Sequence, residues 1–257
     1  MKKILFILTI FCSFSLWAQT SRLIVSDVDD TIKVTDVLGN KLGVAYNGLF
    51  KTTAFAGMSE LYNSFNRENA TIYYVSASPK MIRNQIEKFL VTNKFPQSEN
   101  VILKNRMSDD TFDFKFNSIK ELILKEDPEE VILLGDDTEH DPDVFYALKN
   151  EFPNRIVAVY VRAIKNKLAD HQVDQHLFFS PIEIAGKEIV ATRLNEQSLI
   201  PVNRGFLEQT RDSEIFIKRR YCPKTGRDVL EELKNEINPE YEGVFVTNQK
   251  KIIQVCR

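Results

Sequence analysis

Residues Leu23–Lys33 read LIVSDVDDTIK. An apolar, β-branched run ends in three acids, Asp27, Asp29 and Asp30, within four positions. A strand of this kind buries its body and gathers negative charge at its tip. Like charges held so close repel, so the tip is either a cation site or a solvated acidic loop. An EF-hand loop is excluded, because Ile32 stands where that loop needs Gly and Leu38 where it needs Glu.

Outward from this run, strand and helix patterns alternate. After a stretch of about 25 residues holding Gly39, Gly43 and Gly48, which reads as an irregular flap, GMSELYNSFNREN places Met58, Leu61, Tyr62 and Phe65 on one helical face. TIYYVSAS is a second strand. Ser78 and Pro79 carry the signature of a helix start, and Ile82, Ile86, Phe89 and Leu90 continue that helix. NVILK is a third strand, and KFNSIKELILKE a helix with Ile119, Leu122 and Ile123 inward. EEVILLGDD is a fourth strand, DPDVFYALKNEF a helix opened by Asp141 and Pro142, and RIVAVYVR a fifth strand. Such alternation implies an α/β fold, Rossmann-like, with a mostly parallel sheet and helices on both faces. Right-handed crossovers then set all strand tips along one edge, where ligands bind at the switch in strand order.

The ends of the chain read differently. Lys2 and Lys3, the apolar run Ile4–Trp17 and the small residue Ala18 predict a signal peptide over residues 1–18. The protein is therefore expected to be exported, to the periplasm or beyond the cell, with no transmembrane segment once the signal is removed. Cys222 and Cys256 then remain in a disulfide-permissive compartment. Their pairing would contribute roughly 3–4 kcal/mol in the chain-entropy model, and two free thiols are the alternative. His171 and His176 lack cysteine partners at zinc-finger spacing. A first domain over residues 19–185 is followed by an extension over 186–257, where Ile189–Leu199 and DVLEELKNEI look helical. GVFVTNQKKIIQVC reads there as a hairpin with Asn248 near its turn. The extension either packs on the sheet or forms a subdomain. The net charge of -2 and the absence of a basic stripe interleaved with aromatics exclude nucleic acid as an expected partner.

The strand tips carry the chemistry. Asp27-Val28-Asp29-Asp30-Thr31, Ser76 and Gly135-Asp136-Asp137 end strands one, two and four, Asp141 follows, and Lys115 opens the helix before strand four. A carboxylate nucleophile can accept a phosphoryl group as an aspartyl-phosphate. Both reactants are anionic, so a hard divalent ion held by oxygens is expected, and Mg²⁺ suits a site with few carboxylates. A second carboxyl two residues along the strand is expected to point the same way as the first, since side chains repeat with period two, and can protonate the leaving oxygen and then activate water. Ser and Lys donors suit the moving phosphate.

DVDDT, VSAS, the helix-opening Lys and GDDTEHD resemble the four motifs of the haloacid-dehalogenase superfamily of Mg²⁺-dependent phosphatases. SDVDDTIKVTDV, YYVSASP, FKFNSI and ILLGDDTEHDPDVF resemble, more narrowly, the catalytic domain of the actin-patch phosphatidate phosphatase family, over about Leu23 to Arg162. The resemblance implies Asp27 as nucleophile and metal ligand, and Asp29 as acid/base with its backbone carbonyl on the metal. It implies Thr31 as a loop-shaping residue, Ser76 as a ligand of a phosphoryl oxygen and Lys115 as the charge that neutralises phosphate and Asp27. Thr31, Ser76 and Lys115 together form the implied substrate-binding set. Asp136 is the further metal ligand, supported by Asp137 or Asp141, with Lys104 a competitor for the role of Lys115. The chain carries Ala77 where relatives often have Asn and Lys80 where they often have Trp, both on the substrate side. The expected substrate is a phosphomonoester, with phosphatidate leading. A soluble phosphomonoester is the alternative, and a binding module that kept the fold without catalysis is a rival reading.

Overall fold

The computed structural model describes residues 20–36, 52–165, 168–169, 172, 174–209, 211, 215 and 225–255. The expected signal peptide, the middle of the flap, the His171 position and both Cys222 and Cys256 lie outside the described residues. The strands are β1 (Arg22–Ser26), β2 (Thr71–Pro79), β3 (Val101–Lys104), β4 (Glu130–Asp136), β5 (Ile156–Arg162) and β6 (His176–Phe178). The helices are α1 (Met58–Arg67), α2 (Arg83–Thr92), α3 (Thr111–Glu126), α4 (Asp141–Glu151), α5 (Pro181–Val190), α6 (Leu199–Leu207), α7 (Thr225–Glu236) and α8 (Glu242–Val255).

The strands form one sheet in the order β3-β2-β1-β4-β5-β6, and every pairing in it is parallel. Strand order reverses between β1 and β4, so their carboxyl ends flank the switch-point crevice. Side chains alternate across the sheet. Ile24, Ile72, Tyr74, Ile132, Leu134 and Tyr160 face α1, α2 and α5 to α8. Leu23, Val25, Val75, Leu133, Val159 and Val161 face α3 and α4. The near-continuous apolar runs of β1 and β4 follow from burial on both faces. The sequence expectation of a Rossmann-like α/β sheet with helices on both sides holds.

Four local expectations are corrected. The run Gly243–Cys256, read as a hairpin, is helical through Val255: Phe245, Asn248, Ile252 and Val255 are buried at helical spacing. Its Val and Ile residues raised the strand signal, and packing against α6 and α7 overrode it. The helix read over Ile189–Leu199 is instead a break. Helix α5 ends at Val190, Thr192 takes a left-handed φ of 59°, and α6 starts at Leu199. Ser78 does not cap a helix, because β2 runs on through Pro79 and the following turn has no side-chain cap. Helix α3 starts at Thr111, capped by Asp110, which accepts from the Asp113 amide at 2.9 Å. Lys115 therefore lies in the second turn and does not open the helix. The three-residue strand β6 went unread, being too short for periodicity to mark.

The extension joins the apolar layer over one face of the sheet, with α7 packed on α5 and α8 on α6. Leu230, Leu233, Ile237, Phe245 and Ile252 belong to the same apolar cluster as Ile24 and Ile132. Burying each such side chain contributes on the order of 1.5–3 kcal/mol. Helix α5 begins this layer with a capping box. Ser180 Oγ accepts from the Ile182 amide at 3.2 Å, and Glu183 Oε1 accepts from the Ser180 and Phe179 amides at 2.8 and 3.1 Å.

Burial pushes the Glu183 carboxyl up to about 8, against the opposing pull of those two amides and of Arg162. Its folded value exceeds the ordinary one, so the folded state holds a proton that the unfolded chain releases from about pH 4.5 upward. Stability tied to this group is present below that point and is lost as pH rises to about 8. Glu183→Gln keeps the capping geometry and removes the charge. Its thermal stability relative to wild type is expected to grow from about pH 5 to about pH 9, by on the order of a few kcal/mol, in parallel melting curves.

Candidate active site

Asp27 is the first residue beyond β1, and its amide donates to Leu134 O of β4 at 2.8 Å. That bond anchors it at the switch point. The following turn is held from within. Ile32 and Lys33 amides donate to Val28 O at 3.1 and 2.9 Å, and Asp30 takes a left-handed φ of 57°. Asp30 Oδ1 accepts from the Thr35 and Asp36 amides at 2.8 and 2.7 Å. The third acid of the opening run therefore shapes the turn. Val34 N donates to Thr53 O and Phe55 N to Ile32 O, both at 2.9 Å, so the flap returns to the place it left.

Asp27 Oδ1 accepts from Lys115 Nζ at 2.8 Å, and its Oδ2 accepts from Thr31 Oγ1 at 3.1 Å. The same Thr31 hydroxyl lies 3.4 Å from Asp136 Oδ2. Asp136 ends β4 and its Oδ1 accepts from the Thr138 amide at 2.6 Å. Lys115 also pairs with Asp141 Oδ1, and Asp141 Oδ2 accepts from the Asp136 amide at 3.3 Å. Gly135 makes this possible: a Cβ there would stand 2.5 Å from Asp141 Oδ2 and 2.7 Å from the Phe145 ring. Asp27, Asp136 and Asp141 are all buried, with carboxylate oxygens within 4.8 Å of one another.

Asp29 stands apart from that cluster. Strand β1 has ended by Ser26, so the period-two argument that would aim Asp29 alongside Asp27 does not apply. Its Oδ1 accepts from Thr35 Oγ1 at 2.7 Å, and its Oδ2 from Ser76 Oγ at 3.2 Å and Ser78 Oγ at 3.1 Å. Ser76 comes from β2, so the sheet does bring the β1, β2 and β4 tips together. Asp137 faces elsewhere: its Oδ1 accepts from the Ile164 and Lys165 amides at 2.8 and 2.7 Å, closing the loop after β5. Lys104 is spent on Asp109 O and Thr111 Oγ1, at 2.9 and 2.6 Å, outside the cluster. His140 is exposed. Thr35 and Arg162 carry no sequence signal of a role here, and Ser78 carries only that of a helix start. Arg162 Nε donates to Thr31 O at 2.8 Å.

Electrostatically the cluster is unbalanced. Burial pushes the Asp27 carboxyl well above the usual range. Lys115 pulls against this shift, and the charges of Asp141, Asp136 and Asp29 add to it. Burial and then Asp141 push Asp136 the same way, against Lys115 and the Thr138 side chain. Burial alone would lower Lys115, yet the carboxylates of Asp141 and Asp27 hold it above its ordinary value, so it remains charged. Three buried carboxylates thus share one ammonium. Oxygen donors with excess negative charge fit a hard divalent cation, and Asp27, Asp136 and Asp141 are the residues that would hold it.

Residues 22–163 match the family described as the phosphatidate phosphatase APP1 catalytic domain. The chain belongs to this family. The resemblance carried by the tip motifs is thereby borne out. Among curated relatives, phosphatidate phosphatase APP1 of Saccharomyces cerevisiae is 26% identical over 158 residues, 57% of this chain and 27% of its own. An uncharacterized protein of Schizosaccharomyces pombe is 25% identical over 150 residues, 55% of this chain and 25% of its own. The chain thus spans about a quarter of the length of these relatives. A solved class C acid phosphatase from Bacillus anthracis overlaps 53% of this chain and 64% of its own at 18% identity, with a TM-score of 0.39.

The charge imbalance has a measurable consequence. With its folded carboxyl raised above the unfolded value, ionised Asp136 costs stability as pH rises past about 4. Asp136→Asn is expected to raise the melting temperature of the metal-free protein at about pH 8, by a few degrees. It is also expected to abolish the upward shift that a millimolar divalent cation gives the wild type. Differential scanning fluorimetry with and without chelator reads both effects.

Proposed function

We propose that the chain is an exported, Mg²⁺-dependent phosphoric monoester hydrolase working through an aspartyl-phosphate on Asp27, with a lipid phosphomonoester of the phosphatidate kind as substrate. The observation that carries this reading is the pairing of two unlike carboxylates on one loop. Asp27 is buried beside Lys115 and Asp136, and Asp29 is set apart in a cradle of hydroxyls. The family match and the name of the yeast relative support the phosphatidate class. The basic, apolar and small-residue order of residues 1–18 supports export.

In the first half-reaction an Asp27 oxygen attacks phosphorus and the ester P–O bond breaks. The departing oxygen takes the proton from the Asp29 carboxyl. In the second, Asp29 carboxylate takes a proton from water as the water oxygen attacks phosphorus. The Asp27–phosphorus bond breaks, inorganic phosphate leaves and Asp27 is restored. Hydroxyls both donate and accept, so Thr35, Ser76 and Ser78 can serve Asp29 in either protonation state. Lys115 orients Asp27 and offsets its charge as the anionic phosphate approaches. Mg²⁺ bound by Asp27, Asp136 and Asp141 would supply neutralisation of the phosphoryl oxygens.

Phosphate release from a phosphatidate dispersion by the chain lacking residues 1–18 tests the proposal. Release is expected with Mg²⁺, is lost with chelator, and falls by at least about a thousandfold in Asp27→Asn. Release from soluble phosphomonoesters alone would replace the lipid substrate and keep the enzyme. No Asp27-dependent release from either class would leave the binding-module reading.

A further inference from the structure

Arg162 is the last residue of β5 and is 3% exposed. A buried Arg at a strand end needs partners, and this one has them from segments far apart in the chain. Its Nε donates to Thr31 O at 2.8 Å and its Nη1 to Phe179 O at 3.2 Å. The guanidinium lies over two rings, 3.9 Å from the centre of Phe55 and 4.6 Å from that of Phe178. Thr31 belongs to the catalytic turn, Phe55 to the returning end of the flap, and Phe178 and Phe179 to β6 and the residue before the α5 cap. Burial lowers its pKa to about 9, so it remains charged at neutral pH.

The family match ends at residue 163, while Phe178 and Phe179 lie beyond it. The Phe179 peptide is itself fixed. Its amide donates to Glu183 Oε1 at 3.1 Å, and the neighbouring Ser180 Oγ donates to Asn248 Oδ1 of α8 at 2.8 Å. Asn248 is fully buried. A continuous set of polar contacts therefore runs from the extension through Arg162 to the Thr31 carbonyl. The hydroxyl of that same Thr31 reaches Asp27 Oδ2 and lies beside Asp136 Oδ2.

We infer that Arg162 is a positioning residue for the reaction, a clamp through which the C-terminal extension holds the Thr31 hydroxyl against Asp27 and Asp136. The inference rests on the reading of Asp27 as nucleophile. A planar fork is suited to the task, because two fixed donors meet two carbonyls while the guanidinium also lies over two rings. Lysine, a point charge on a flexible stem, can do only part of this. Thr31 touches the reacting carboxylate and Arg162 does not, so Arg162 acts through Thr31.

The test combines Arg162→Lys, Thr31→Val, the double variant and Phe178→Leu, all in the chain lacking residues 1–18. Arg162→Lys is expected to lower kcat on a phosphomonoester by about tenfold or more with KM little changed. Phe178→Leu, which removes one stacking face and no hydrogen bond, is expected to lower kcat by a smaller factor. In the double variant the kcat losses should overlap. Losses that multiply, or an Arg162→Lys enzyme with wild-type kcat, would overturn the clamp. Amide exchange across residues 27–33 gives a readout independent of catalysis. It is expected to quicken about tenfold in Arg162→Lys with the β4 amides unchanged. Unaltered exchange would overturn the clamp even in a protein that hydrolyses nothing. Absent Asp27-dependent hydrolysis alongside quickened exchange would instead overturn the reading of Asp27 as nucleophile.

Discussion

Three carboxylates, Asp27, Asp136 and Asp141, are buried around a single ammonium, Lys115. Ordinary folding would disperse such charges, and the rest of the molecule is arranged to keep them together. The parallel sheet sets the β1 and β4 tips side by side at the reversal of strand order. Gly135 lets the first turn of α4 come close enough for Asp141 to reach the Asp136 amide. Helix α3, on the same face of the sheet as α4, presents Lys115 to both Asp27 and Asp141. Asp30, placed in the left-handed region, spends its carboxylate on folding the turn that aims Asp27 and Thr31.

The site has two compartments. One is buried and over-charged, and holds the proposed nucleophile with the candidate cation ligands. The other is a half-buried carboxylate, Asp29, among Thr35, Ser76 and Ser78. Separating the two lets one carboxylate be controlled by charge and the other by hydroxyl groups that accommodate a proton coming or going. The short turn between β1 and the flap carries both residues, so its rigidity sets the distance between them. Packing of α5 to α8 on the sheet gives that turn a support that begins where the family match stops.

Much of this was legible in the sequence where a signal was local. The apolar runs ending in Asp27 and Asp136 marked strands and their tips, and Ser76, Lys115 and Asp141 could be gathered to one edge by topology alone. What stayed hidden depended on contacts between distant segments. Asp141 and Asp137 looked equivalent as supports, and only the close approach allowed by Gly135 separates the first from the second, which ties down the amides of Ile164 and Lys165. Ser78 before Pro79 mimicked a helix cap, and its hydroxyl instead serves Asp29. Arg162 carried no signal of its own in the sequence, because the rings of Phe55 and Phe178 that it lies over arrive from over a hundred residues earlier and sixteen later. In α8, β-branched residues imitated a strand until packing of Phe245, Asn248 and Ile252 set the helical period.

The central claim is that Asp27 carries the phosphoryl group. Quenching turnover with borohydride reduces an aspartyl-phosphate to homoserine, which peptide mass spectrometry locates. The account expects homoserine at position 27, present only when substrate is added. Phosphate release by an enzyme that shows no conversion at position 27, or conversion at another carboxylate, would contradict it.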